Sequence, residues 1–224
     1  MTDETPFQRL QAATEAERDA LLAIPFLREG MAGNISLNSY VAFLTQAYHH
    51  VKHTVPLLML CGAHLSPERE WLRNAMAEYI EEELGHQEWI LNDIAACAGD
   101  AEAVRHEHPG SAAEVLVAYA YYVIEHVDPI AFLGMVHVLE GTSIKAATQA
   151  AGNIQKNLGL PNEAFSYLNS HGSLDLEHVD FFTSLVNRMG DDDLDTVIRA
   201  SKVFYTLYGN VFRGLPLELM REAA

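Results

Sequence analysis

Apolar residues recur at three- and four-residue intervals along almost the whole chain, and the strict alternation of a half-buried strand is missing over any useful length. A chain patterned this way buries its apolar surface by packing helix on helix, so the expected fold class is all-α. With 224 residues and 49% hydrophobic content there is enough apolar surface for a substantial core. No internal repeat, low-complexity tract or linker divides the chain, so residues 1–224 read as a single helical domain.

Capping and breaking residues divide that pattern into roughly seven helices. The spacing predicts a first helix from Thr5 to Leu22, followed by an irregular stretch, IPFLREGMAGNI, where Pro25, Gly30 and Gly33 interrupt the period. Ser36 or Asn38 can cap a long helix running through Tyr40 to about Gly62, bent at Pro56. Ser66-Pro67-Glu68 then opens a helix ending near Cys97. The charged stretch from Asp100 to Gly110 reads as the longest loop. Helices over Ser111 to Val127, Ile130 to Asn157 and Glu163 to Arg188, and one from GDDD to about Phe212, complete the bundle.

Charge and cysteine usage exclude several functions. The formal charge is −17, from 31 acidic and 14 basic residues with no basic run, which argues against a nucleic acid or an anionic membrane as partner. Cys61 and Cys97 are far apart and in helical segments, forming neither a disulfide framework nor a Cys-xx-Cys zinc pattern, and a reducing cytoplasm fits. The start, MTDETPFQRL, is acidic and polar where a signal peptide needs a basic start and an apolar run. No stretch approaches membrane-spanning length without charge.

The chemistry-bearing pattern is SHGSLDLEHVDFF, which places His171, Asp175 and His178 at offsets of zero, four and seven. At roughly 100° per residue these fall within about 60° of one another, so three ligand-type side chains share one stripe. A bland alternative is a solvated or hydrogen-bonded helix face. In EEELGHQEW, Glu83 and His86 are three apart and Glu82 and His86 four apart, so either carboxylate can meet the imidazole, with Glu83 favoured. Glu-xx-His is a di-metal spacing of helical bundles, although acidic clusters are commonly solvated. Glu140, in GMVHVLEGTS, follows a mainly apolar run where an unpaired charge is costly to bury, and Lys145 is an alternative partner to a metal. Three imidazoles and three carboxylates from three helices make a nitrogen and oxygen set suited to iron or manganese.

On Glu83-xx-His86, Glu140 and His171-xxx-Asp175-xx-His178, in this order and spacing, the chain resembles the haem-oxygenase-like di-metal oxidases, relatives of the TenA and PqqC proteins. The resemblance covers nearly the whole chain, since IPFLREGMAGNISLNSYVAFLTQAYHHV is similar to the entry and first long core helix of TenA-like proteins. It implies a seven-helix fold without haem, two Fe²⁺ held by those six residues, O₂ as co-substrate, and a small organic substrate such as a fatty acid, amino acid or amine. A homodimer is also implied. Some relatives take the first carboxylate two turns before the histidine, where this chain has Tyr79. Thiaminase chemistry in the TenA branch needs a cysteine in a middle helix, and no cysteine follows Cys97. A non-catalytic TenA-like binding or regulatory protein is the alternative from another class. Metal-dependent hydrolysis or metal storage with zinc or manganese is a third.

His49, His50 and His53 cluster beside Tyr48 on the first long helix, either as pocket or haem-binding residues or as buried, hydrogen-bonded histidines. His137, one turn before Glu140, is either a core histidine or an outer partner of the metal site. Tyr122, Glu125 and His126, with Phe204, Tyr205 and Tyr208, are candidates to line a cavity or to pack as core.

Overall fold

The helical period of the sequence is realised in twelve α-helices, and among the described residues there is no strand. They are α1 (Pro6–Ala13), α2 (Glu15–Leu22), α3 (Pro25–Ala32), α4 (Leu37–Val51), α5 (Thr54–His64) and α6 (Glu70–Glu83). There follow α7 (His86–Ala96), α8 (Ala101–His106), α9 (Ser111–His126), α10 (Leu133–Leu158), α11 (Ser166–Val186) and α12 (Asp191–Gly214). This computed structural model describes residues 4–220, and the side chains of residues 142–146 and 170–178 lie outside what it describes. None of the described helices is long and apolar enough to cross a membrane.

The bundle is of the expected type, but twelve segments replace seven because three expected helices are divided and two expected loops are helical. The first helix breaks at Thr14, whose hydroxyl donates to Leu10 O at 2.8 Å and competes with the helical ladder. The long helix breaks at Lys52 and His53, not at Pro56. Proline at 56 crowds the carbonyl four residues earlier, that of Lys52, so the break falls a turn upstream of its cause.

The break between α6 and α7 has no proline. Gly85 sits in the left-handed region at φ 92°, stopping one helix at Glu83 and starting the next at His86.

The two missed helices show the same residues in a different role. Pro25 is the first residue of α3, where its missing N–H costs nothing, and Gly33 is the left-handed C-cap at φ 75°. A Cβ at Gly33 would come within 2.7 Å of the Asn153 backbone, so this glycine also lets α3 close on α10. Asp100 caps α8 by accepting from Ala103 N at 2.9 Å, which leaves only residues 107–110 irregular in the expected loop. Ser36, not Asn38, caps α4.

α10 is the central element, packed against α3, α11 and α12, while α4 packs against α7 and α9. Arg69, half-buried, ties the turn before α6 to Asp128 at 2.6 Å and to Asp193 in the first turn of α12 at 2.5 Å. The C-terminal strap is fastened to the start of α4 by Ser36 N donating to Glu218 O at 2.7 Å and Met220 N to Asn34 O at 2.8 Å.

Gly85 gives a direct test of the α6–α7 break. Open space surrounds its missing Cβ, so Gly85→Ala meets no steric clash and costs only its left-handed backbone. That cost is about 1–2 kcal/mol, and at roughly 2–4 °C per kcal/mol for a chain of this length it lowers Tm by a few degrees in thermal melts. An unchanged Tm would mean that the helix can run through position 85.

Candidate metal centre

Glu83 and His86 end up on different helices, yet they meet. The Glu83 Oε2 lies 2.9 Å from His86 Nδ1, with the imidazole 2% and the carboxylate side chain 12% exposed. The His86 ring also stacks on Trp89, their centroids 4.1 Å apart. Glu82 faces solvent. Of the two glutamates, Glu83, the one favoured from sequence, is in contact with His86.

Tyr79 links this junction to α10. Its buried hydroxyl lies 3.5 Å from Glu140 Oε2, a long contact, and its ring meets Phe181 of α11 edge-on at 5.1 Å. Burial, then the negative charges of Glu140, Glu82 and Glu83, hold the phenol well above its ordinary pKa, so Tyr79 stays a proton donor. The half-buried Glu140 thus meets a neutral hydroxyl from the end of α6.

His171, Asp175 and His178 lie within the bounds of α11, and their side chains fall outside the described residues, as does that of Lys145. Among the described residues no group of three or more His, Cys, Asp and Glu is arranged to hold a metal ion. Glu83, His86 and Glu140 fit iron in kind, being oxygen and nitrogen donors directed into the bundle without a thiolate. With α11 included, the six expected ligands come from four helices, not three, because Gly85 separates Glu83 from His86.

The histidines at the end of α4 and just after it have described partners. His49 is buried, its Nδ1 3.3 Å from Lys52 Nζ and its Nε2 3.7 Å from Glu107, and burial followed by Lys52 lowers its pKa. His50 is buried with Nδ1 donating to Gln46 O at 3.0 Å, and half-buried His53 meets the Tyr121 hydroxyl at 3.1 Å. Each of the three thus has a polar partner through at least one ring nitrogen.

His137 is a core histidine too. Its Nε2 is 3.1 Å from the Thr14 hydroxyl, whose only proton goes to Leu10 O. The imidazole is therefore the donor at Nε2, and it stacks on Phe182 at 5.9 Å.

A cavity of about 100 Å³ runs along the same stretches of α10 and α11. Leu139, Ala147, Ala150 and Ile154 of α10 and Tyr167 and Leu168 of α11 form one side, and Phe26, Leu27, Tyr40, Phe43, Tyr208 and Phe212 the other. Among the described residues no charged side chain lines it. Of the aromatic residues flagged from sequence, Tyr208 lines this cavity, Phe204 and Tyr205 are core, and Tyr122, Glu125 and His126 are exposed. The cavity was hidden in the sequence because its walls are the same apolar positions that mark a core.

The family described as iron-containing redox enzyme matches residues 41–209, a span that includes every candidate ligand. The chain belongs to that family. Solved structures share its fold at low identity. A domain of unknown function with a haem-oxygenase-like fold from Shewanella denitrificans OS217 has TM-score 0.84 and 23% identity, over 92% of this chain and 90% of that one. A TenA homologue from Pseudomonas syringae pv. tomato DC3000 has TM-score 0.76 and 12% identity, over 93% and 91%. Haem oxygenase from Leptospira interrogans has TM-score 0.73 and 17% identity, over 94% and 100%. No functionally curated protein matches the sequence.

Burial makes His137 a source of acid instability in this chain. Its pKa is lowered from 6.5 to about 4 by burial, with Arg18 adding to the shift. The unfolded chain takes up this proton at higher pH than the fold does. Stability is therefore full above about pH 6.5 and falls as the pH drops towards 4, by about 3 kcal/mol in total for this group. Urea unfolding between pH 7 and 4 is expected to show that loss in the wild type and a smaller one in His137→Phe. Identical acid limbs would rule the assignment out.

Proposed function

We propose that the chain is an O₂-activating non-haem di-iron oxidase acting on a small substrate with an apolar body. The observation that carries the metal reading is the buried Glu83–His86 pair, facing the bundle beside Tyr79 and Glu140. In this reading Glu83, His86, Glu140, His171, Asp175 and His178 hold two irons. When bound, iron supplies the electron chemistry with O₂, and the protein fixes geometry, charge and access.

The chain's own residues have separable tasks. Carboxylates from α6, α10 and α11 offset the charge of divalent ions in the bundle, and the Trp89 ring stacked on His86 holds that imidazole in place. Tyr79, held protonated, can donate to Glu140 and fix which carboxylate oxygen is turned inward. The aromatic and aliphatic walls exclude water from the space beside α10 and α11.

The cavity also selects among the substrates that the family resemblance leaves open. Among the described lining residues there is no carboxylate to receive the ammonium group of an amino acid or amine, and burying that charge unpaired costs several kcal/mol. An acid with an alkyl chain places its tail in the apolar space and its carboxylate towards the metals. A space of this size holds several water-sized units, enough for a chain of several carbons.

A second reading, a metal-independent small-molecule binder, is favoured by the likeness to TenA homologues from Pseudomonas syringae and Pyrococcus horikoshii, the latter at TM-score 0.77 and 11% identity. The two readings part on metal dependence.

Anaerobic loading with ferrous iron and metal analysis is expected to give about two irons per wild-type chain, against well below one in the His171→Ala, His178→Ala variant. Glu83→Gln is expected to lower occupancy and Glu82→Gln to leave it unchanged. Equal, low iron in all four proteins would sink the metal reading.

The cavity assignment is tested by Ala150→Phe, which fills the space without touching a proposed ligand. It is expected to weaken binding of decanoate to the iron-loaded protein about tenfold or more, with iron content unchanged. Undiminished decanoate binding would remove the apolar-substrate assignment.

A further inference from the structure

Asp93 is a fully buried carboxylate that none of the chemistry above uses. It lies on α7 two turns after His86, and seven residues at roughly 100° each return to within about 20° of the same face. Among the described residues no Lys, Arg or His forms an ion pair with it. Its partners are the first two amides of α11: Ser166 N–H donates at 3.0 Å and Tyr167 N–H at 2.9 Å, and the Ser166 hydroxyl donates as well. Burial raises the Asp93 pKa, and these three donors work against that shift.

An ordinary helix takes its cap from the residue just before it, because a local Ser, Thr, Asp or Asn satisfies the end amides while still touching water. In α11 that position is Phe165, which has no capping side chain. The acceptor comes instead from a residue more than seventy positions earlier, fully buried at 0% exposure. Desolvating a carboxylate costs more than a local cap, and what the costlier arrangement adds is a fixed distance between two helices. The helices joined are the one that begins with His86 and the one that carries His171, Asp175 and His178.

We propose that Asp93 is a positioning residue of the metal centre: its carboxylate pins the first turn of α11 to α7 and so sets the separation between His86 and the ligand stripe of α11. This rests on the metal reading above. The pin lies one to two turns before His171, close enough that a slip of the first turn displaces all three residues together. Metal affinity is sensitive to such displacement, because ligands must converge on one point within a few tenths of an ångström.

The probes are Mn²⁺, and Fe²⁺ under anaerobic conditions, measured by equilibrium dialysis well below the melting temperature of every variant. Asp93→Asn keeps shape and one acceptor oxygen but turns an NH₂ group towards the α11 amides. It is expected to weaken metal binding about tenfold or more and to speed hydrogen exchange at residues 166–169. Ser166→Ala removes one of the three donors, and a loss of about threefold is expected. Val197→Ala opens a cavity in the fully buried wall of α12 away from the site and is expected to bind metal as the wild type does, despite its lower Tm. Wild-type affinity in both Asp93→Asn and Ser166→Ala would overturn the proposal, as would an equal loss in Val197→Ala. If Asp93→Asn does not fold, Ser166→Ala against Val197→Ala decides. Absence of binding by the wild type would instead sink the metal reading, and the positioning role with it.

Discussion

A carboxylate in the dry interior of a chain with formal charge −17 has to be held by something other than water, and at Asp93 that something is the start of a helix. Two backbone amides, one hydroxyl and the positive end of the α11 macrodipole together take the place of a counter-ion. Through this contact α7 and α11 share a fixed point, and α11 in turn packs along α10. Formal cations hold carboxylates elsewhere, as at Arg69, which clamps Asp128 and Asp193 at a partly exposed edge. At Asp93 the start of a helix does inside the bundle what a guanidinium does at its rim.

The fold was legible in the period of the apolar residues, and the points at which helices stop were legible only in part. Proline and glycine are read from sequence as breakers, yet Pro25 and Gly33 mark the two ends of α3, while the effect of Pro56 appears a turn away at Lys52. Whether a glycine continues a helix or ends it depends on the backbone it adopts, and Gly85 gives no sign of its left-handed conformation in a sequence that is otherwise strongly helical. That single residue shaped the reading of the site as well. With α6 and α7 taken as one helix, Glu82 and Glu83 are equivalent candidates by spacing. With the break in place, one turns to solvent and the other meets His86.

Residue type made the proposed ligands visible, because imidazoles and carboxylates at helical spacing are rare in an apolar bundle and demand a reason. Asp93 carried a weaker signal of the same kind, a lone carboxylate in WILNDIAAC two turns from His86, and its partners are main-chain atoms that no motif encodes. His137, one turn from Glu140, shows what the structure adds to such a residue: the proton on the Thr14 hydroxyl is committed to Leu10, and this places the imidazole proton on Nε2.

The apolar cavity was least legible of all, for a physical reason that bears on how such an enzyme diverges. A wall residue such as Phe26 or Leu168 differs from a core residue only in lacking a neighbour on one side, and that absence is a property of packing, not of composition. Part of the wall comes from α3, the segment whose helix the sequence hid behind a proline and a glycine. In the proposed reading, metal binding constrains α6, α7, α10 and α11 to residue types that chemistry dictates, whereas α2, α3 and α12 need only remain apolar and helical. Exchanging one apolar side chain for another on those helices reshapes the cavity at little cost to the bundle. On that reading substrate choice can change through α3 while the helices proposed to bear ligands stay as they are.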